Sequence, residues 1–160
     1  MRKSSFFKSL RGFWALGVLI VVHITQPAYA GASDAPSFGV ESQSSVVEEA
    51  RRYIGTNPTS RRNLWCARFM NLVLKRVGFK GTGSDMARSF AKYGQRVRGP
   101  QVGAIAVMSR GKRGGHVGVV SGIDKRGNPI IISGNHNKKV AEAVYPRERI
   151  YAYVMPVMPH

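Results

Sequence analysis

Two side chains in this 160-residue chain could form a nucleophile and its base: Cys66, the one cysteine, and His116. A thiol is a weak nucleophile until ionised, and an imidazole can take its proton near neutral pH. Cys66 stands in Asn63-Leu64-Trp65-Cys66, at the start of a segment with strong helical spacing. Unpaired N–H groups and the dipole at a helix start favour a thiolate, so the position predicts a lowered thiol pKa. A cysteine buried as a small hydrophobe would show the same spacing. His116 stands in Gly114-Gly115-His116-Val117-Gly118-Val119-Val120, where a strand begins. Gly118 falls on the same strand face and leaves room beside the ring. Of the other histidines past residue 30, His160 is the terminal residue and His136 is the alternative base.

The elements that carry these residues follow from periodicity. Residues 46–54 predict a short amphipathic helix, with Val46, Val47, Ala50 and Ile54 on one face. Residues 64–77 predict the strongest helix. Cys66, Phe69, Met70, Val73, Leu74 and Val77 make a continuous apolar stripe, Arg68, Asn71 and Lys75 take the wet side, and Gly78 supplies the stop. Residues 85–93 read as a weaker third helix with Ser84 as its cap. After Gly99-Pro100 the period changes, and strands are expected at 104–108, 117–123, 129–133, 140–144 and 151–155. Helices first and strands afterwards predict an α+β fold, with N-terminal helices packed on an antiparallel sheet of about five strands.

The turn Asp124-Lys125-Arg126-Gly127 sets the register of the hairpin that holds His116. Pairing Ile123 with Asn128 opposes Ser121 to Ile130, Val119 to Ile132, Gly118 to Ser133 and His116 to Asn135. Opposed Cβ atoms are roughly 5 Å apart, so the Asn135 amide could orient the imidazole. A loop one residue longer would oppose His116 to His136, but it would set Ser133 and Asn135 against valines. Asn135 is the expected partner. It also suits a turn in Ser133-Gly134-Asn135-His136-Asn137.

Residues 1–30 read as an export signal. Arg2, Lys3, Lys8 and Arg11 flank an apolar stretch at 12–24, and Ala28-Tyr29-Ala30 is a small-x-small cleavage site. The stretch falls short of the about 20 residues that a membrane span requires. The protein is therefore expected in the periplasm or outside the cell, without stable membrane insertion. Residues 31–45, rich in Ala, Ser, Gly and Pro, predict a flexible leader, and 46–160 a single domain. Removing the signal leaves 21 basic against 8 acidic residues, a net charge of +13. Such a field favours anionic partners such as acidic envelope polymers, and export argues against nucleic acid. An exported chain with one cysteine has no internal disulfide, which leaves Cys66 for reactivity or for pairing with another chain. One cysteine, no His-Glu-x-x-His pair and few acids give no zinc-ligand spacing. No phosphate-cradling glycine loop follows a strand, and no cofactor is expected.

Trp65-Cys66-Ala67 at a helix start, Gly115-His116-Val117-Gly118 in a strand and Gly134-Asn135 in the next strand resemble a family. They are similar to the papain-like peptidoglycan amidases and endopeptidases: the CHAP domains (cysteine, histidine-dependent amidohydrolase/peptidase) and their NlpC-like relatives. The likeness runs from about residue 46 to about residue 155, and Leu64-Trp65-Cys66-Ala67-Arg68-Phe69 with Gly81-Thr82-Gly83-Ser84 resembles a small exported subgroup more closely. The resemblance implies a papain-like core, Cys66 as nucleophile, His116 as base and Asn135 as the orienting residue. It further implies hydrolysis of amide bonds in peptidoglycan stem peptides through a thioester. Two positions depart from the pattern: Ser133 stands where many CHAP domains have glutamate, and Gly103-Ala104 where they have Gly-Asp.

Around that pair, the Cys66 backbone N–H and the Asn63 side chain are the expected oxyanion donors. Trp65 and Arg68, with Arg61 and Arg62, are the expected contacts to substrate, and the protein is expected to be a monomer. Two other readings compete: a non-catalytic cationic envelope-binding module on the same fold, and a protein linked through an intermolecular Cys66 disulfide.

Overall fold

The computed structural model describes residues 38–111 and 114–158, with side chains from residue 44 onward. The expected export signal and residues 31–37 of the expected leader lie outside them, as does His160. Helix α1 (Phe38–Arg51) begins well before the predicted start, so part of the expected flexible leader is helical. Its apolar residues Val46, Val47 and Ala50 are buried. The helix also ends early. Ile54 leaves it to bridge Val140, and the neighbouring Gly55 N–H donates to the Val140 carbonyl at 2.9 Å.

Helix α2 (Cys66–Arg76) buries Cys66, Ala67, Phe69, Met70, Val73 and Leu74. An isolated helix below about 12–15 residues is marginal in water, so this packing, not propensity, holds it. Each large apolar side chain fully buried contributes roughly 1.5–3 kcal/mol. Gly78, at φ +86°, ends the helix. The Phe79 N–H donates back to Leu74 at 2.9 Å and the Gly78 N–H to Lys75 at 3.2 Å, the paired bonds of a Schellman stop. The predicted third helix is a 3-10 segment, Ala87–Lys92, with Met86 before it and no side-chain cap. Ser84 instead accepts the Met86 N–H in a local turn at 3.2 Å. No helix among the described residues is long and apolar enough to cross a membrane.

The sheet has six antiparallel strands: β1 (Gln95–Val97), β2 (Ile105–Ser109), β3 (Gly115–Ile123), β4 (Pro129–His136), β5 (Lys139–Val144) and β6 (Ile150–Met155). Their order is β1-β6-β2-β3-β4-β5. The fold is α+β, as the order of periods indicates. One face buries Ile105, Val107, Val117, Val119 and Ile132 under the helices. The opposite face buries a smaller cluster with Met108, Val120, Ile131, Tyr145 and Tyr153. Alternation along β3 puts His116 on that second face with Val120.

The predicted hairpin register holds for Gly118–Ser133, Val119–Ile132 and Val120–Ile131, then shifts at Ser121. Past the bulge Gly122 opposes Ile130 and Ile123 opposes Pro129, so the expected Ile123–Asn128 and Ser121–Ile130 pairs do not form. The Asp124 carboxylate causes this by gathering the Arg126 and Asn128 N–H groups at 2.9 and 2.7 Å. At the other end the β3–β4 ladder starts only at Gly118. β4 slips against β5 between Ser133 and His136, and Asn135 sits at φ +61°. The opposition of His116 to Asn135 is lost there.

Candidate active site

Cys66 is the first residue of α2, 6% exposed, on the buried stripe. The backbone N–H groups of Val117 and Ala67 and its own lie near the sulfur and favour its ionised form. The Val117 contact follows from the sheet. The Val120 N–H bonds the Ala104 carbonyl on the β2 side, so odd-numbered residues of β3 point their N–H groups toward β4. No β4 residue pairs Val117, and its N–H lies near the sulfur. The predicted lowering of the thiol pKa does not result. The N–H donors and the Arg110 cation do pull it down, but burial outweighs them and pushes it up.

His116, on the residue next to Val117, is 1% exposed. Its Nε2 lies 3.0 Å from Ser133 Oγ and 3.4 Å from the Tyr145 hydroxyl. Its Nδ1 is buried with no hydrogen-bond partner among the described residues. Asn135 is therefore not the ring's partner. The β4 slip turns it away from the ladder, and Ser133, at the position where the resemblance expects glutamate, takes its place. Burial, helped by the nearby Arg110, pushes the imidazolium pKa down to about 3. At rest these groups are a thiol, near Val117 on the helix face, and a neutral imidazole on the opposite face.

The sulfur borders a cleft of about 400 Å³ whose walls include Leu64, Met86, Arg88, Met108 and Tyr151. That volume is in the range of small-molecule sites, about 300–1,000 Å³. Residues 57–135 match the family model of the CHAP domain, a span holding Cys66, His116 and Ser133. The chain carries a CHAP domain. No curated protein sequence matches it. CHAP domains are hydrolases, broadly amidases and peptidases of peptidoglycan.

Within this CHAP domain the remaining expected residues stand apart from the sulfur. Trp65 is fully buried and cannot touch substrate. Its ring packs edge-on to Phe69 with centroids 6.4 Å apart, and it leaves no space for a side chain at Gly134, where a Cβ would fall 2.6 Å from the indole. Asn63 lines a second cavity of about 520 Å³ with Arg61, Arg62 and Lys138, not the Cys66 cleft. Leu64, at φ +55°, follows Asn63 in the chain and lines the Cys66 cleft instead. Arg68 makes a two-pronged bond to the Asp85 carboxylate, at 2.7 Å through Nη2, and Arg61 lies 3.5 Å from the same group. Those cations hold the Asp85 carboxyl below its usual range, with Arg68 the main cause. Arg68 and Arg61 are thus already paired, and among the described lining residues Arg88 is the cation of the cleft wall.

Two residues escaped the sequence reading, and a third changes role. Tyr145 lies after the last residue of β5, and only the folded sheet brings its hydroxyl to His116. Arg110 acts on both Cys66 and His116 from the turn after β2. His136 enters not as the base but behind Tyr145, at 3.0 Å from its hydroxyl. Among the described residues no group of three or more His, Cys, Asp or Glu side chains is placed to hold a metal ion.

Proposed function

We propose that this CHAP domain is an exported cysteine amidohydrolase or endopeptidase that cleaves amide bonds of peptidoglycan stem peptides. The observation that carries the reading is the sulfur's position: it opens on a cleft and lies near the N–H of Val117, the residue beside an imidazole whose Nδ1 has no partner among the described residues. The chemistry requires Nδ1 of His116 to reach the sulfur. Nδ1 takes the thiol proton as the sulfur attacks the amide carbonyl carbon. The Cys66 N–H, at the start of α2, donates to the developing oxyanion. Collapse breaks the C–N bond, Nδ1 returns the proton to the leaving amine, and a thioester remains on Cys66. Water, deprotonated by the same Nδ1, then hydrolyses the thioester and restores the thiol.

The shifted pKa values shape this sequence. Moving a proton from a raised thiol to a weakly basic ring is uphill at rest. Attraction between the thiolate and imidazolium formed together offsets part of the cost. An imidazolium of low pKa then yields its proton readily to the leaving amine. Ser133 holds the ring by Nε2, the role that the resemblance gave to Asn135. Among the described residues of the cleft wall, Arg88 is a cation for a stem-peptide carboxylate.

Mass analysis of purified sacculi digested with wild-type protein and with Cys66→Ala tests the reading. New amide-cleavage products are expected with wild type alone. Identical product profiles would contradict hydrolysis and favour an envelope-binding role.

A further inference from the structure

Behind His116 lies an unbroken line of polar contacts that the thiol chemistry does not itself use. Nε2 of His116 is 3.0 Å from Ser133 Oγ, Ser133 Oγ is 3.2 Å from the Tyr145 hydroxyl, and that hydroxyl is 3.0 Å from Nδ1 of His136. Ser133 is fully buried and Tyr145 is 7% exposed. Both rings stand against Tyr145, with centroids 5.9 Å away for His116 and 6.3 Å for His136. We infer that His136, acting through Tyr145 and Ser133, fixes which nitrogen of His116 carries its proton and so keeps Nδ1 free as the base.

A neutral imidazole has one donor nitrogen and one acceptor nitrogen, and a hydroxyl can donate to one neighbour while accepting from another. A line of two hydroxyls between two imidazoles therefore has two self-consistent polarities. In one, His116 Nε2–H donates to Ser133, Ser133 to Tyr145, and Tyr145 to an acceptor Nδ1 on His136. In the other every bond reverses, Nε2 of His116 becomes an acceptor, and the proton sits on Nδ1. The first leaves a buried lone pair at Nδ1; the second leaves a buried N–H without an acceptor. Orphaned buried donors are the rarer case, which selects the first polarity. Since the His116 imidazolium pKa is near 3, the ring holds a single proton and the choice of nitrogen decides its chemistry. His136 and Tyr145 are then positioning residues: neither touches substrate, and both act through His116.

The inference rests on His116 being the base, so its test uses a readout independent of hydrolysis. Ring nitrogen-15 chemical shifts distinguish a protonated from an unprotonated imidazole nitrogen. Wild-type protein is expected to show His116 protonated at Nε2 and bare at Nδ1. Tyr145→Phe removes the connecting hydroxyl and keeps the ring; His136→Ala removes the final acceptor. Both should shift His116 to a mixture of tautomers, and His136→Gln, which keeps an acceptor, should restore much of the Nε2–H form. Sacculus hydrolysis should show kcat reduced about tenfold in the first two variants with KM little changed. If Tyr145→Phe does not fold, His136→Ala at its half-buried position carries the test alone. A wild-type ring protonated at Nδ1, or a tautomer unmoved by both variants, would overturn the inference even with hydrolysis intact. A tautomer that shifts in a protein without hydrolytic activity would leave this inference standing and sink the functional reading.

Discussion

The two faces of the sheet position their reactive groups by different physics. On the helix face, Cys66 is held by shape: α2 packs Phe69, Met70, Val73 and Leu74 into a fully buried apolar layer, and Trp65 is wedged over Gly134. On the opposite face, His116 is held by direction, through hydrogen bonds to Ser133 and Tyr145. Packing is tolerant of orientation and costly to remove. Hydrogen bonds are orientation-specific and, one by one, contribute only about 0.5–1.5 kcal/mol. The sulfur's placement should therefore fail together with stability, whereas the imidazole's can fail while the fold persists.

The largest effect on stability should come from the helix face. Phe69→Ala deletes a fully buried ring that touches both Trp65 and Tyr53, and a loss of about 3–5 kcal/mol is expected by urea denaturation. Gly134→Ala is the smaller helix-face change. Its Cβ would meet Trp65 and Phe69 at 2.6 and 2.7 Å, and overpacking of this kind costs about 1–3 kcal/mol. A denaturation midpoint equal to wild type in both variants would show that packing does not hold the sulfur.

These helix-face features were half legible. The apolar stripe of α2 is local, so its spacing announces the helix and puts Cys66 on the inward side. Trp65 looks like a substrate platform in the sequence because the glycine that buries it, Gly134, lies on a different strand. The strands beyond Gly99 are equally visible, apart from β1, whose three residues are largely exposed and show no apolar period. On the His116 face less could be read. The hairpin register is correct near Val119, but one bulge at Ser121 and the slip after Ser133 break the alternation that sequence pairing assumes. Which polar group meets the ring depends on that slip. The tie of Arg68 to Asp85 likewise depends on a loop path that no periodicity records.

The opposite face predicts a pH signature. The His116 pKa is lowered from 6.5 to about 3 in the folded protein, so the folded state resists binding a proton that the unfolded chain accepts. Stability from this group is complete above about pH 6.5 and is lost as pH falls toward 3. Urea midpoints of wild type should decline across that window, while His116→Gln should show a shallower acid limb. Parallel limbs would mean that the buried ring is not the group responsible. The smallest effect is expected at the rim. Asp85→Asn breaks an exposed ion pair, where measured contributions are near zero, so the midpoint should not move. A clear drop would make the Arg61–Asp85–Arg68 cluster a structural element rather than a surface one.

Proton transfer from Cys66 to His116 is probed by the rate of Cys66 alkylation against pH in folded wild type and in His116→Ala. Wild type should react at least about tenfold faster near pH 7, the lower range for general-base assistance being about a hundredfold in full catalysis. The variant should react slowly until the pH approaches the raised thiol pKa. Superimposable rate profiles for the two proteins would contradict the claim.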